Sequence, residues 1–251
     1  MEHTGPPEPG IRPLPPPAVW LHTICRKNDI SATDSQLGKL TQYVALLLEW
    51  NSKVNLVSRK DTDHIWQAHI LHSLSVLFMV DLPSNASVLD LGSGGGLPGV
   101  VLKIMRPDLS VTCLDATKKK MDAVADMVTR LCLEGVGTAW GRAEELGKLP
   151  AYRESFDIVL ARAVAPLNDL IKWSGPFLRR KTEDRQLKSD SRPTLQGPAL
   201  IALKGGDLES ELKKSQKLPR VKGISVRSLA FFGAEQVPGV DKKIVIVDFK
   251  S

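Results

Sequence analysis

Residues 92–99 read Gly-Ser-Gly-Gly-Gly-Leu-Pro-Gly, with five glycines in eight positions. Glycine lets a backbone come close to a ligand, and a glycine turn opening a helix leaves amides free for an anionic group. The apolar run Ser87–Leu91 leads into this loop, and Asp90 stands two residues before its first glycine. A second apolar run, Ser110–Leu114, is followed at once by Asp115. A carboxylate at that point of a parallel sheet can accept hydrogen bonds from both hydroxyls of a ribose. Loop and acid together specify a cofactor that contains a nucleoside.

The loop alone does not choose that cofactor. Gly94-Gly95-Gly96-Leu97-Pro98-Gly99 fits the dinucleotide pattern G-x-G-x-x-G, and no Lys-Ser or Lys-Thr follows it, which excludes a Walker A site. Two features favour S-adenosylmethionine over a nicotinamide cofactor. Asp90 puts an acid at the tip of the first strand, where it can face a methionine ammonium. The remaining chain is also too short for a typical separate dehydrogenase substrate domain. After a third run, Val136–Trp140, comes Gly141-Arg142-Ala143-Glu144-Glu145. There a backbone amide and a polar side chain can read an adenine edge; the same residues also read as a plain charged helix start.

The elements that must position these groups alternate. Strands are expected over Ser87–Leu91, Ser110–Leu114, Val136–Trp140, Phe156–Ala161, Ala199–Leu203, Val226–Phe232 and Lys242–Phe249. Helices are expected over Val100–Met105, Lys118–Leu133, Leu167–Leu178 and Leu208–Lys217. Such alternation implies βαβ units and a mostly parallel sheet covered on both faces. The last two strands have only residues 233–241 between them and form an antiparallel hairpin at the sheet's edge. Before the first strand the pattern is helical: Leu37, Leu40, Val44, Leu47 and Leu48 share one helix face, and Thr33 with Gln36 resembles a capping box. A second helical run carries Ile65, Ala68, Leu71, Leu74, Leu77 and Phe78. The chain therefore divides into a Pro-rich extension (1–17), a helical cap (18–83) and an α/β domain (84–251) with a polar insertion near 181–198.

Composition sets the limits. The chain has 251 residues, 42% hydrophobic and 25% charged, with net charge +6. Collagen, a wholly disordered chain and a helical membrane protein are excluded. The basic excess sits in residues 179–251, with 16 Lys and Arg against 9 Asp and Glu. It faces either a polyanion or plain solvent. Cys25, Cys113 and Cys132 form no CxxC pair and read as reduced thiols of a cytoplasmic protein. The leader has seven prolines in 17 residues and two acids, and reads as neither a secretory signal nor a transit peptide.

The chain resembles the bacterial 16S rRNA guanine-N7 methyltransferase G family, also called glucose-inhibited division protein B. The likeness rests on Glu49-Trp50-Asn51 with Asn55-Leu56, His69-Ile70-Leu71 with Ser73, Leu89–Gly99, Leu114-Asp115, Arg142-Ala143-Glu144, Ala161-Arg162-Ala163-Val164-Ala165 and Ala202-Leu203-Lys204-Gly205. These segments occur in the family's order over about residues 36–250. The resemblance implies a class I, Rossmann-like methyltransferase fold with a seven-stranded, mostly parallel sheet and an N-terminal helical cap. It implies S-adenosyl-L-methionine as donor and a guanine in the 530 loop of 16S rRNA as acceptor, reached on naked RNA or on the small subunit by a monomeric enzyme. Cofactor contacts are expected at Asp90, Gly92, Gly94, Gly96, Leu97, Asp115, Ala143, Glu144 and Arg162, and substrate contacts at Asn51, Asn55, His69, Arg142 and Lys204. The chain departs from the family in three places: His72 stands where Asp is usual, the 181–198 segment is longer, and the Pro-rich leader has no counterpart.

The implied chemistry fits what the sequence omits. Guanine N7 has an in-plane lone pair and no proton, so displacement at a sulfonium methyl requires no general base. Catalysis then rests on positioning and electrostatics. The position after the fourth strand holds Ala161–Pro166 rather than the Asn/Asp-Pro-Pro-aromatic motif of amino-group methylation, and none of the three cysteines lies where a cytosine C5 nucleophile must. Arg162 and Lys204, at carboxyl ends of strands, are the catalytic candidates; each could instead be structural. His64, His69 and His72 lie close, but no carboxylate or Cys pattern completes a metal set, and no metal is expected. Lys118-Lys119-Lys120 could meet phosphate or solvent. No aromatic–basic stripe for stacking on single-stranded RNA is evident, and Trp50 and Trp66 read as cap packing. Two rivals stand beside this reading: a nucleotide-binding oxidoreductase and a non-catalytic assembly factor of the same fold.

Overall fold

The computed structural model describes residues 16–180, 192, 195 and 197–250. Seven strands form one sheet in the order β3-β2-β1-β4-β5-β7-β6. They are β1 Ser87–Leu91, β2 Ser110–Asp115, β3 Val136–Trp140, β4 Ile158–Arg162, β5 Ala199–Lys204, β6 Val221–Ser228 and β7 Lys243–Phe249. The first five are parallel, while β7 runs antiparallel to both β5 and β6. The strand order reverses about β1, with β2 on one side and β4 on the other, and that switch point opens the crevice where ligands of such sheets bind.

The helices are α1 Pro16–Lys27, α2 Asp34–Asn51, α3 His72–Met79, α4 Gly99–Met105, α5 Lys118–Arg130, α6 Ala143–Leu146, α7 Leu167–Ser174 and α8 Glu209–Ser215. The capping box at α2 is formed: Thr33 Oγ1 accepts from the Gln36 amide at 3.2 Å and Gln36 Oε1 accepts from the Thr33 amide at 2.9 Å. Leu37, Leu40, Tyr43, Val44 and Leu47 bury the inner face of α2. A π-helical turn, Trp66–Leu71, leads into α3, every residue of which is buried. The cap and the sheet share one apolar cluster, in which Leu40, Leu47, Ile70 and Leu74 meet Val88, Val100, Val111 and Leu160. Trp50 and Trp66 pack against it, and Trp50 Nε1 also donates to Asp126 of α5 at 2.7 Å.

Several boundaries differ from expectation. Pro16 and Pro17, expected in the extension, open α1, where a missing N–H costs nothing. The rest of the extension and most of the 181–198 insertion lie outside the described residues. Within the insertion, Arg192 donates to the Leu77 and Asn28 carbonyls at 2.8 and 2.9 Å. The fourth strand begins at Ile158, because Asp157 is taken up by Ser87, whose amide reaches its Oδ2 at 2.8 Å. The sixth strand is Val221–Ser228 rather than Val226–Phe232. It is the sheet's edge, so polar Lys222, Ser225 and Arg227 fill its open face and no apolar run marks it. Phe231 instead leaves the sheet and packs on Phe78, with ring centroids 5.0 Å apart.

Candidate active site

The glycine loop leaves β1 and turns back over the ends of β1 and β2. The Gly92 and Ser93 amides both donate to the Leu114 carbonyl, at 2.8 and 3.0 Å. The Gly94 amide donates to Asp115 Oδ2 at 3.1 Å. Gly96 and Leu97 donate to the Ser93 carbonyl, and Gly99 to Asp90 Oδ2 at 2.7 Å. The expectation that these amides are left for an anionic group is thus corrected: most of the loop's donors already have partners inside the protein.

A cleft of about 320 Å³ opens beside the loop at the carboxyl ends of β1–β4. Leu91, Gly92, Asp115, Lys120 and Gly141–Glu144 line one part of it, and Ala163, Val164 and Trp173 the other. Asp115 is held by two amides, since Oδ1 also accepts from Thr117 at 2.8 Å. Each oxygen keeps a further lone pair for a hydroxyl in the cleft. Lys120 Nζ lies 3.9 Å from Asp115 Oδ2. Gly92 has φ +69°, and a Cβ there would come within 2.6 Å of Val164 Cγ2. Val164 therefore lies directly on Gly92. A larger groove of about 480 Å³, lined by Gln36, Lys103 and Glu134 among others, runs past the far end of α4 and holds none of the residues expected to do chemistry.

A family model described as rRNA small subunit methyltransferase G matches residues 36–238. A "Ribosomal RNA small subunit methyltransferase G" of Exiguobacterium sibiricum is 34% identical over 230 residues, covering 91% of this chain and 89% of the relative. One of Chlorobium phaeobacteroides is 38% identical over 203 residues, covering 81% and 82%. The chain belongs to this family. Among solved structures, an O-methyltransferase from Bacillus cereus in complex with SAH superposes with a TM-score of 0.51 at 17% identity, over 92% of this chain and 99% of that one. That likeness confirms the class I, Rossmann-like fold of S-adenosylmethionine-dependent methyltransferases.

Within this family member, the expected residues divide. Gly92, Asp115, Ala143 and Glu144 line the cleft, and so does Arg142, exposed at its rim. Gly94, Gly96 and Leu97 do not line it; Gly94 acts through the Asp115 carboxylate, and Leu97 is buried. Asp90 does not open onto the cleft either. It is 0% exposed beneath the loop, its Oδ1 has no partner, and burial pushes its pKa up to about 7 against the Gly99 amide, which acts the other way. Its bonded oxygen accepts from the Gly99 amide and so ties β1 to the start of α4. Asn51 is likewise structural: its Oδ1 accepts from the Leu56 and Val57 amides at 2.8 and 2.9 Å and closes the turn after α2. Asn55 is exposed on that turn.

Lys204 is corrected in the same way. Its Nζ sits 2.9 Å from Glu211 Oε2 and 3.1 Å from the Ala165 carbonyl, and Glu211 also accepts from the Leu167 amide at 2.7 Å. It ties β5, α7 and α8 together. Arg162 is not among the residues that line the cleft; on the cap side its Nη1 donates to the Ala68 carbonyl at 3.3 Å and meets His69 Nδ1 at 3.0 Å. Burial holds His69 at about 4 and His72 at about 3, with the Arg162 charge adding to both, so both rings are neutral near pH 7. Among the described residues no group of His, Cys, Asp and Glu could hold a metal. No helix among them is long and apolar enough to cross a membrane. Lys118 is paired with Asp122 at 2.8 Å. The sequence reading missed Asp61, which approaches His69, and the exposed Trp140, which anchors Nε1 on the Ala116 carbonyl at 3.2 Å. Neither the Asp61–His69 nor the Trp140–Ala116 spacing is a motif that marks a contact.

Proposed function

We propose that the protein transfers the methyl group of S-adenosyl-L-methionine to N7 of a guanine in the 530 loop of 16S rRNA. The observation that carries the reading is the cleft between Gly92 and Asp115, at the switch point of a fold whose family acts on small-subunit rRNA. Asp115 offers two acceptor oxygens to a ribose, and the Ala143 and Glu144 segment faces the same space as an adenine would. Gly92 leaves its backbone facing the cleft, with Val164 filling the place of a side chain. When bound, the donor would supply a methyl on a positively charged sulfur: N7 would bond to that carbon as its bond to sulfur breaks, leaving the neutral thioether S-adenosylhomocysteine, with no proton lost.

The protein's part is positional. Asp115, fixed by two amides, sets the donor's depth in the cleft, and Arg162 lies beyond Gly92 on the neighbouring strand. Arg142 stands at the rim, where an exposed cation can meet RNA phosphate. No side chain is assigned as a general base, in keeping with the acceptor's chemistry. The oxidoreductase alternative needs free loop amides for a pyrophosphate, and the loop's hydrogen bonds work against that. A non-catalytic assembly factor would need no such cleft.

The test is transfer of tritium from labelled donor to 30S subunits, and to naked 16S rRNA, prepared from cells lacking the modification. Incorporation mapped to one guanine whose product is cleaved by the chemistry specific to 7-methylguanine is expected. Incorporation at an amino group or ribose, or none into either substrate, would overturn the reading. Thermal protection by S-adenosylhomocysteine and not by NAD is expected in parallel.

A further inference from the structure

Arg162 lies at the end of β4, and the pairing of Leu91 with Ala161 puts it directly across from Gly92. It is partly buried, and among the described residues it makes no ion pair within 4 Å. Its hydrogen bonds to the Ala68 carbonyl and to His69 both use Nη1. An arginine keeps its proton, so Nη1 can only donate, and His69 Nδ1 must accept. Nδ1 then carries no hydrogen, and the ring's proton sits on Nε2. Nε2 lies 3.4 Å from Asp61 Oδ2, a charge-directed contact longer than the usual hydrogen bond. The three side chains thus form an ordered chain from carboxylate to imidazole to guanidinium. The neutral ring that burial enforces is the only form of His69 that can serve Arg162 in this way.

We propose that Asp61 is a positioning residue: by fixing the His69 tautomer it aims the remaining N–H groups of Arg162 at the carboxylate of the methyl donor's methionine. The proposal rests on the donor named above. That molecule's adenosine is assigned to the Asp115 end of the cleft, so its amino-acid end extends past Gly92 toward the neighbouring strand, where Arg162 stands across from Gly92. The carboxylate is the donor's one anionic group, and a guanidinium is its best-matched partner. Asp61 itself sits on the surface turn Arg59–His64, 43% exposed, and touches neither cleft nor donor.

The experiment is isothermal titration of the full chain with S-adenosylmethionine and with decarboxylated S-adenosylmethionine, which differs only in lacking the carboxylate. Asp61→Ala is expected to weaken binding of the first about fivefold, the scale of one misaligned hydrogen bond, and to leave the second within twofold. Asp61→Asn, which keeps an acceptor for Nε2–H, is expected to restore the wild-type ratio. In ¹⁵N spectra the wild-type His69 is expected to show a protonated Nε2 and a bare Nδ1. Equal loss of both ligands in Asp61→Ala, no loss of either, or a protonated Nδ1 in the wild type would each overturn the proposal. A wild type that binds neither ligand would overturn the donor assignment itself, and the two failures are thereby distinguished.

Discussion

Asp90 sits at 0% exposure with one oxygen bonded to the Gly99 amide and the other without a partner. Burial raises its pKa from 3.8 to about 7. The unfolded chain therefore releases this proton near pH 4, while the folded chain holds it until near pH 7. Between those limits the folded state binds more protons, so this group's contribution to stability falls as pH rises. The shift of about three units at about 1.4 kcal/mol each amounts to about 4 kcal/mol across the window. Asp90→Asn removes the titration and keeps a carbonyl oxygen for Gly99. Its amide hydrogens add a constant cost that does not vary with pH, so the informative quantity is the pH dependence of the difference between the proteins. Urea unfolding at half-unit steps from pH 4 to pH 8 measures it. The variant is expected to gain about 4 kcal/mol relative to wild type between the two ends, a relative midpoint shift on the order of 1 M or more. His69 and His72 titrate in the opposite sense, with folded pKa values below the unfolded one, but both proteins share them and they cancel. A difference that stays flat from pH 4 to pH 8 would refute the assignment of a buried, proton-holding Asp90.

Gly92→Ala would force a Cβ to 2.6 Å from Val164 at φ +69°, a conformation that costs an alanine about 1–2 kcal/mol; calorimetry is expected to show at least a tenfold loss of S-adenosylhomocysteine affinity, partly restored by adding Val164→Ala, and an unchanged Kd would remove Gly92 from the site. Asp115→Ala orphans the Gly94 and Thr117 amides and removes the ribose acceptor; weaker cofactor binding with an unaltered circular dichroism spectrum is expected, and equal affinity would end the ribose role. Lys204→Met breaks the pair with Glu211; a loss of about 1–3 kcal/mol and several degrees in Tm is expected, with methyl transfer at 25 °C within about threefold of wild type. Abolished transfer at an unchanged Tm would return Lys204 to the chemistry.

The parallel half of the sheet was legible because its strands are short, mainly non-charged runs that each lie between a turn and a helix. Ser87–Leu91 and Val136–Trp140 agree with the structure to the residue. The edge strand was not legible, because one open face lets Lys222, Ser225 and Arg227 interrupt the pattern. Asp115 could be placed from sequence since its neighbours in chain order fix it at a strand end. Side-chain direction could not. Lys204, Arg162 and Asp90 all lie at strand ends, where successive residues face opposite sides of the sheet, and a partner on another element decides what each one does. Glu211 claims Lys204, His69 claims Arg162, and Gly99 claims Asp90.

The glycine loop shows the same division of labour most clearly. Its density of glycines suggested a cradle for a ligand, yet a Cβ on Gly95 would lie 2.6 Å from Leu47 of the cap, and the Gly95 carbonyl accepts from the Tyr43 hydroxyl at 2.9 Å. Part of the motif therefore exists so that α2 can lie against the loop. Gly92 alone among these glycines lines the cleft. The cap is then no separate lid. Leu47 and Tyr43 press on the loop from one side while Asp115 holds the Gly94 amide from the other. A loop braced on both sides cannot adjust to a bulkier pyrophosphate without loosening the cap's own core. That makes the cap, and not only the glycine pattern, a determinant of which nucleoside cofactor this sheet can take.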